Sequence, residues 1–231
     1  PDGHVTVNQM YVKYMLPQSA TNNASFVLIH GMHLTGKCWE TTPDGRMGWD
    51  EYLVRKGSAV YVVDQVGIGR SGFNHKIHNA AKYGKVSATL QSAFSRKTDE
   101  NSWMNFRFGT KDGKAVDEAK FPVDFLAEFG KQNVPHITSL LDPKANYTCL
   151  SELAQKVKNA ILVSHSQSGA FPIETALLGN KGSKEIKGIV MLEPGGTGDY
   201  YSAEQIRKLT NIPILIIFGD NLKNDTGMRG H

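Results

Sequence analysis

The 231-residue chain has only two cysteines, Cys38 and Cys149, and they lie far apart. Neither has a partner at C-x-x-C spacing, which argues against a thiolate zinc site. The pair leaves two readings open: one disulfide in an exported protein, or two buried thiols in a reducing compartment. No apolar run approaches the ~20 residues of a transmembrane helix. Charge of one sign is not concentrated either. The net charge is +4, and the densest cluster, Ser95-Arg96-Lys97-Thr98-Asp99-Glu100, is balanced by its own acids. A solvated surface explains such charge better than a nucleic-acid face. Internal repeats and low-complexity segments are missing. The chain opens at Pro1 with no readable signal peptide, so processing or trimming is expected.

What the chain does have is a rhythm. Phe26-Val27-Leu28-Ile29, Ala59-Val60-Tyr61-Val62-Val63, Ile161-Leu162-Val163, Ile186 to Leu192 and Ile212 to Phe218 are short apolar runs rich in β-branched residues. Each stops at a polar or glycine-containing loop. Continuous apolar strands of this kind are buried on both faces, as in a parallel sheet. Helical stretches are expected at Trp49 to Lys56, Leu150 to Lys158, Gly169 to Leu178 and Ala203 to Leu209. Val5 to Tyr14 alternates roughly and reads as antiparallel edge strands. The alternation predicts a doubly wound α/β fold in one domain, with functional loops at the carboxyl ends of the strands. From about Phe73 to Asn146 the rhythm breaks. This stretch carries Trp103, Phe106, Phe108, Phe121, Phe125 and Phe129, and it is expected to form a helical cap over an apolar pocket.

The sharpest chemical signal is Ser164-His165-Ser166-Gln167-Ser168 after the third run. A strand that stops at a serine flanked by small residues forms a tight turn that exposes the hydroxyl. Ser166 is favoured as the nucleophile because the apolar strand ends just before it; Ser168 is the alternative frame, and a serine-rich helix cap is the bland one. With Ser166 in that role, the N–H of Gln167 is free to hold an oxyanion. His30-Gly31-Met32-His33 follows the first run. There the N–H of Met32 would supply a second donor, while His30 is expected to hold the loop. Gly67-Ile68-Gly69-Arg70-Ser71-Gly72 matches a dinucleotide fingerprint, but no helix opens directly from it and no strand-ending acid follows at the required offset. A turn packed beside the site is the better reading. Two acids end strands after the serine, Glu193 and Asp220, and either could orient an imidazole. After Ser166 the only histidine is the last residue, His231.

Together these residues resemble the α/β-hydrolase superfamily: His30-Gly31, Asp64-x-x-Gly67-x-Gly69-x-Ser71, the Ser166 turn and Gly219-Asp220 occur in its order. Leu34 to Arg46 is similar to a bacterial esterase-like subgroup that is often exported. The resemblance implies that Glu193 is the acid and that the histidine lies in a loop of the type Gly-x-Arg-Gly-Asn-x-His. Gly227-Met228-Arg229-Gly230-His231 matches the start of that loop. On that alignment His231 takes the Asn position, the base lies just beyond it, and the last strand of the sheet is missing. The expectation is therefore an esterase acting through an acyl-enzyme, with Ser166, Glu193 and His231 as candidate triad and Met32 and Gln167 as oxyanion donors. No metal and no cofactor are expected. The expected partner is a small-molecule ester, with no nucleic acid and no membrane span; a homodimer stays open. Location is expected to be secreted or periplasmic, with the cytoplasm as alternative. The competing function is a non-catalytic hydrolase-like protein that holds an apolar ligand in the capped pocket.

Overall fold

The structure, a computed structural model, describes residues 3–91, 93–117, 119–138, 141–195 and 201–219. Among the described residues, six strands form one sheet in the order β1-β3-β2-β4-β5-β6. They are β1 (Tyr11–Met15), β2 (Ser25–Ile29), β3 (Ala59–Asp64), β4 (Ala160–His165), β5 (Ile186–Leu192) and β6 (Ile214–Ile217). All neighbours run parallel except β1, which pairs antiparallel with β3. The seven α-helices among the described residues are α1 (Trp49–Arg55), α2 (Lys76–Lys82), α3 (Asp99–Asn105), α4 (Leu126–Gly130), α5 (Pro143–Val157), α6 (Phe171–Leu177) and α7 (Ala203–Lys208).

The sheet is covered on both sides, which is why its strands are apolar without alternation. On one face Val27, Ile29, Leu162 and Met191 pack with Leu150 and Ala154 of α5 and with Phe171 and Ile173 of α6. On the other, Leu28, Val60, Val62 and Val163 pack with Trp39 and with Leu53 and Val54 of α1. Successive residues of β2 therefore serve opposite cores, as the two-residue period of a strand requires. β6 is different: Ile214, Leu215, Ile216 and Ile217 are all exposed.

Three local expectations need correction. The N-terminal strand is only Tyr11–Met15, because β3 offers Val60 to Asp64 as partners and no more. Upstream, Asn8 takes a left-handed φ of 62°, and the Gln9 side chain turns to the Ser71 carbonyl at 2.7 Å. The helix expected from Leu150 begins at Pro143 instead. Asp142 caps it by accepting from the Lys144 N–H at 2.9 Å, and Pro143 stands where a helix loses no hydrogen bond to proline. The last residues of the expected cap thus belong to the body. The helix expected from Gly169 to Leu178 is present as α6 but starts at Phe171, after a 3-10 turn at Ser166–Ser168.

Between the body elements, residues 73–142 hold α2, α3, α4 and short 3-10 turns. Phe108 and Phe129 form a buried cluster with Leu34, ringed by Trp103, Phe106, Phe121 and Leu126. Phe108 and Phe121 stack with rings 3.5 Å apart, and Phe129 meets Phe108 edge-on at 5.1 Å. These aromatics pack chiefly on one another, and Leu34 and Cys38 join the cluster from outside the insertion. Cys38 and Cys149 are free thiols, so the disulfide alternative falls away. No helix among the described residues is long and apolar enough to cross a membrane.

Candidate active site

Strand register brings four loops to one line. Ile29 of β2 stands beside Ser164 of β4, His165 beside Leu192 of β5, and Leu192 beside Ile217 of β6. The residues that leave these strands, His30, Ser166, Glu193 and Phe218, therefore emerge side by side at the carboxyl edge. Parallel strands collect loops in this way, and ligand sites of open α/β sheets form there.

Ser166 sits at φ 55°. A non-glycine residue in the left-handed region is uncommon and costs free energy, so the surrounding structure must hold it. Three contacts do so. The Ser166 carbonyl accepts from Gly169 N–H and from Gly195 N–H, both at 2.8 Å. Gly31 packs so closely that a Cβ there would lie 3.1 Å from the Ser166 Cβ. The flanking serines are buried and occupied. Ser168 donates to the carbonyls of His165 (3.0 Å) and Ile29 (3.3 Å) and accepts from the His165 N–H at 3.2 Å. Ser164 reaches the Gly169 carbonyl. Ser166 is the serine of this turn that lines the cavity.

That cavity has a volume of about 670 Å³. His165, Ser166, Glu193 and Gly195 line it together with Phe106, Phe108, Phe121 and Phe129, and with Lys97 and Arg107. Glu193 ends β5 at a left-handed φ of 45°. Both its carboxylate oxygens accept from Arg107 Nη2 at 3.2 Å. Gly219, just after β6, lies so close to the same carboxylate that a side chain there would have to displace it. Arg107 is itself left-handed, at φ 59°. Sequence reasoning missed it. Its one signal was its place in the aromatic-rich insertion.

The two expected oxyanion donors, Met32 and Gln167, lie on two loops. The N–H groups of Met32 and Gln167 find no acceptor in the turn and loop hydrogen bonds of the described residues. Gln65 ties the two loops together: its side-chain N–H group donates to the His30 carbonyl and to the Gln167 side chain, at 3.0 Å for the latter. His30 is fully buried, with Nδ1 2.7 Å from the Gly31 carbonyl and Nε2 accepting from Gln65 N–H at 3.0 Å. Burial pushes its pKa down to about 4, against the opposing pull of the Gly31 carbonyl and Asp64. A neutral imidazole with both nitrogens engaged holds a loop and has no free site for proton transfer. His165 beside the serine is also shifted down by burial, with Glu193 opposing.

The glycine-rich stretch after β3 contains a 3-10 turn, Gly69–Ser71, and no long helix opens from it. Asp64 clamps it. Its carboxylate accepts from Gly36 N–H, Arg70 N–H and the Arg70 guanidinium at 2.8–2.9 Å. Burial alone would raise the Asp64 pKa, but these donors outweigh it and hold the carboxyl below its ordinary value. The glycine-rich stretch thus fixes the loop that carries Gln65. No group of three or more His, Cys, Asp or Glu suited to a metal occurs among the described residues. Asp220 and His231 lie outside the described residues.

No family model matches the chain. The chain is 30% identical over 190 residues to a probable secreted lipase, phiG, of Fungal sp. (strain ATCC 74256), a match that takes in 81% of this chain and 49% of the lipase. It therefore spans about half the length of that curated relative. A solved structure described as a novel bacterial esterase superposes at TM-score 0.87 with 44% identity, over 95% of this chain and 67% of the esterase. A probable hydrolytic enzyme from Pseudomonas aeruginosa PAO1 is far more remote, at 16% identity over 83% of this chain and 38% of its own, with TM-score 0.40.

Proposed function

Because the chain belongs to the α/β-hydrolase superfamily, in the family of that bacterial esterase, we propose that it hydrolyses carboxylic esters through an acyl-serine intermediate. The observation that carries the reading is Ser166 itself. It is a serine held at φ 55° after β4, lining a cavity that Glu193 also lines. In this reading Ser166 Oγ attacks the ester carbonyl, and the N–H groups of Met32 and Gln167 hold the oxyanion. A histidine takes the serine proton and returns it to the leaving alcohol. Water, activated by the same histidine, then releases the acid. Glu193 orients that imidazole. The base in this reading is His231, the only histidine after Ser166 in the sequence.

The phenylalanine wall of the cavity suits an apolar acyl or alcohol group. Export is part of the same proposal, and it rests on the probable secreted lipase among the relatives.

A fluorophosphonate probe tests the nucleophile. The reading expects covalent labelling and turnover of p-nitrophenyl esters, both abolished by Ser166→Ala. Labelling that survives in Ser166→Ala and disappears in Ser168→Ala would overturn the assignment. For the acid, Glu193→Gln should lower turnover far more than Asp220→Asn; the reverse ranking moves the role to Asp220.

A further inference from the structure

Between Asp64 and Asp99 the chain has no acidic residue, and it carries Arg70, Lys76, Lys82, Lys85, Arg96 and Lys97. Arg70 is engaged by Asp64. Among the described residues, the other five form no ion pair with a carboxylate. Asp99, the next acid along, is turned toward α4, where its carboxylate packs on Gly130.

The same stretch exposes Phe73, Ile77, Tyr83, Val86, Leu90 and Phe94, with Tyr83 at 71% and Phe94 at 56%. Phe73 and Phe94 meet edge-on at 6.3 Å, and His78 lies 5.7 Å from Phe94. A single exposed apolar side chain is ordinary. Several in one short segment, with Phe73 and Phe94 in ring contact and α2 packed on the Ala88–Leu90 turn, form a patch that marks an interaction surface.

We propose that this face, built on α2 and the 3-10 turn Ala88–Leu90, docks on an anionic lipid–water interface. The charge pattern selects the occupant. A second copy of the chain meeting this face about a two-fold axis would oppose lysine with lysine. A nucleic acid would match the lysines and leave Ile77, Val86 and Leu90 with no apolar partner. An anionic bilayer or lipid droplet satisfies both halves at once. Phenylalanine and aliphatic side chains enter the acyl boundary, and lysines meet the headgroups. The patch also stands next to the cavity: Phe94 is three residues from Lys97, a span of at most ~11 Å. Docking would bring the cavity rim to the surface where apolar esters collect.

Vesicle flotation of the full chain reads this directly and needs no turnover, so it is independent of the esterase assignment. Binding is expected to phosphatidylcholine vesicles that contain phosphatidylglycerol, with much less to phosphatidylcholine alone and release by salt. Lys76→Gln, Lys82→Gln and Lys85→Gln should each weaken partitioning about fivefold, and Phe94→Ser should weaken it further. These are exposed positions outside the cavity, and an unchanged melting curve checks that the variants stay folded. Equal binding to neutral and anionic vesicles, or no binding to either, overturns the proposal. So does a Phe94-dependent dimer in light scattering that leaves vesicles unbound, or binding to duplex DNA in preference to vesicles.

Discussion

The backbone N–H of Gly195 donates to the carbonyl of Ser166 at 2.8 Å. This bond joins the turn after β5 to the turn after β4, so the position of Glu193 and the position of Ser166 are set by one another. A second bond, from Glu193 N–H to the Ile217 carbonyl at 2.8 Å, seats the same turn on β6. Gly195 cannot be replaced freely: a Cβ there would stand 3.2 Å from the Ser166 carbonyl oxygen.

Ser168 and Ser166 should separate cleanly when each is changed to alanine. Ser168→Ala removes a buried hydroxyl with three partners and should cost about 1–3 kcal/mol of stability. It should keep probe labelling. Ser166→Ala should keep or raise stability and lose labelling. Urea melts and a fluorophosphonate gel on the two variants are the measurement.

Gly31→Ala places a methyl group 3.1 Å from both the Ser166 Cβ and the His165 carbonyl oxygen. The His30–Met32 loop must retreat, and the Met32 N–H retreats with it. Losing one oxyanion donor lowers kcat by roughly 10²–10³. Turnover of that size lost with a nearly unchanged melting temperature is the expected result. A kcat within a few-fold of the parent would remove Met32 from the donor pair.

Gln65→Leu keeps the volume of the side chain and removes both of its donated bonds. The buried His30 carbonyl then lacks that partner, at about 1–3 kcal/mol. The tie to Gln167 also breaks, so kcat should fall more than KM rises. Steady-state kinetics beside a thermal melt distinguishes this from a purely structural loss, which would lower the active fraction and leave KM alone.

Acid should destabilise the fold in a defined window. His30 has a pKa near 4 in the folded chain and about 6.5 when unfolded. Above pH 6.5 both states hold it neutral, and its contribution to stability is complete. Between 6.5 and 4 the unfolded chain binds the extra proton, so stability falls with pH, by on the order of 3 kcal/mol from this group. Burial shifts His33, His136 and His165 in the same direction. Melting temperatures measured from pH 7.5 to 4 should drop steadily below 6.5, and a His30→Asn variant should show a shallower slope.

The sheet was legible because each parallel strand is apolar on both faces and ends abruptly. Ile186 to Leu192 matches β5 residue for residue. The Ser166 turn was legible because its neighbours must be small. Asp142-Pro143 was a readable helix start that the aromatic-rich stretch before it obscured. Arg107 was not legible. It reaches Glu193 across 86 positions of sequence, and no local pattern encodes a contact made by folding. The same holds for Gln65, whose two partners lie on different strands' loops.

Among the described residues, seven non-glycine residues adopt positive φ, and Arg107, Ser166 and Glu193 are among them, all three lining one cavity. Such positions resist the usual logic of stabilisation. Glycine relieves about 1–3 kcal/mol of backbone strain at each and returns somewhat less through the freedom it gives the unfolded chain. A screen that rewards heat resistance alone would therefore drift toward glycine at 166 and 193 and remove the two side chains on which the proposed chemistry depends. Any stabilised variant of this protein has to be selected with a turnover or labelling requirement running alongside.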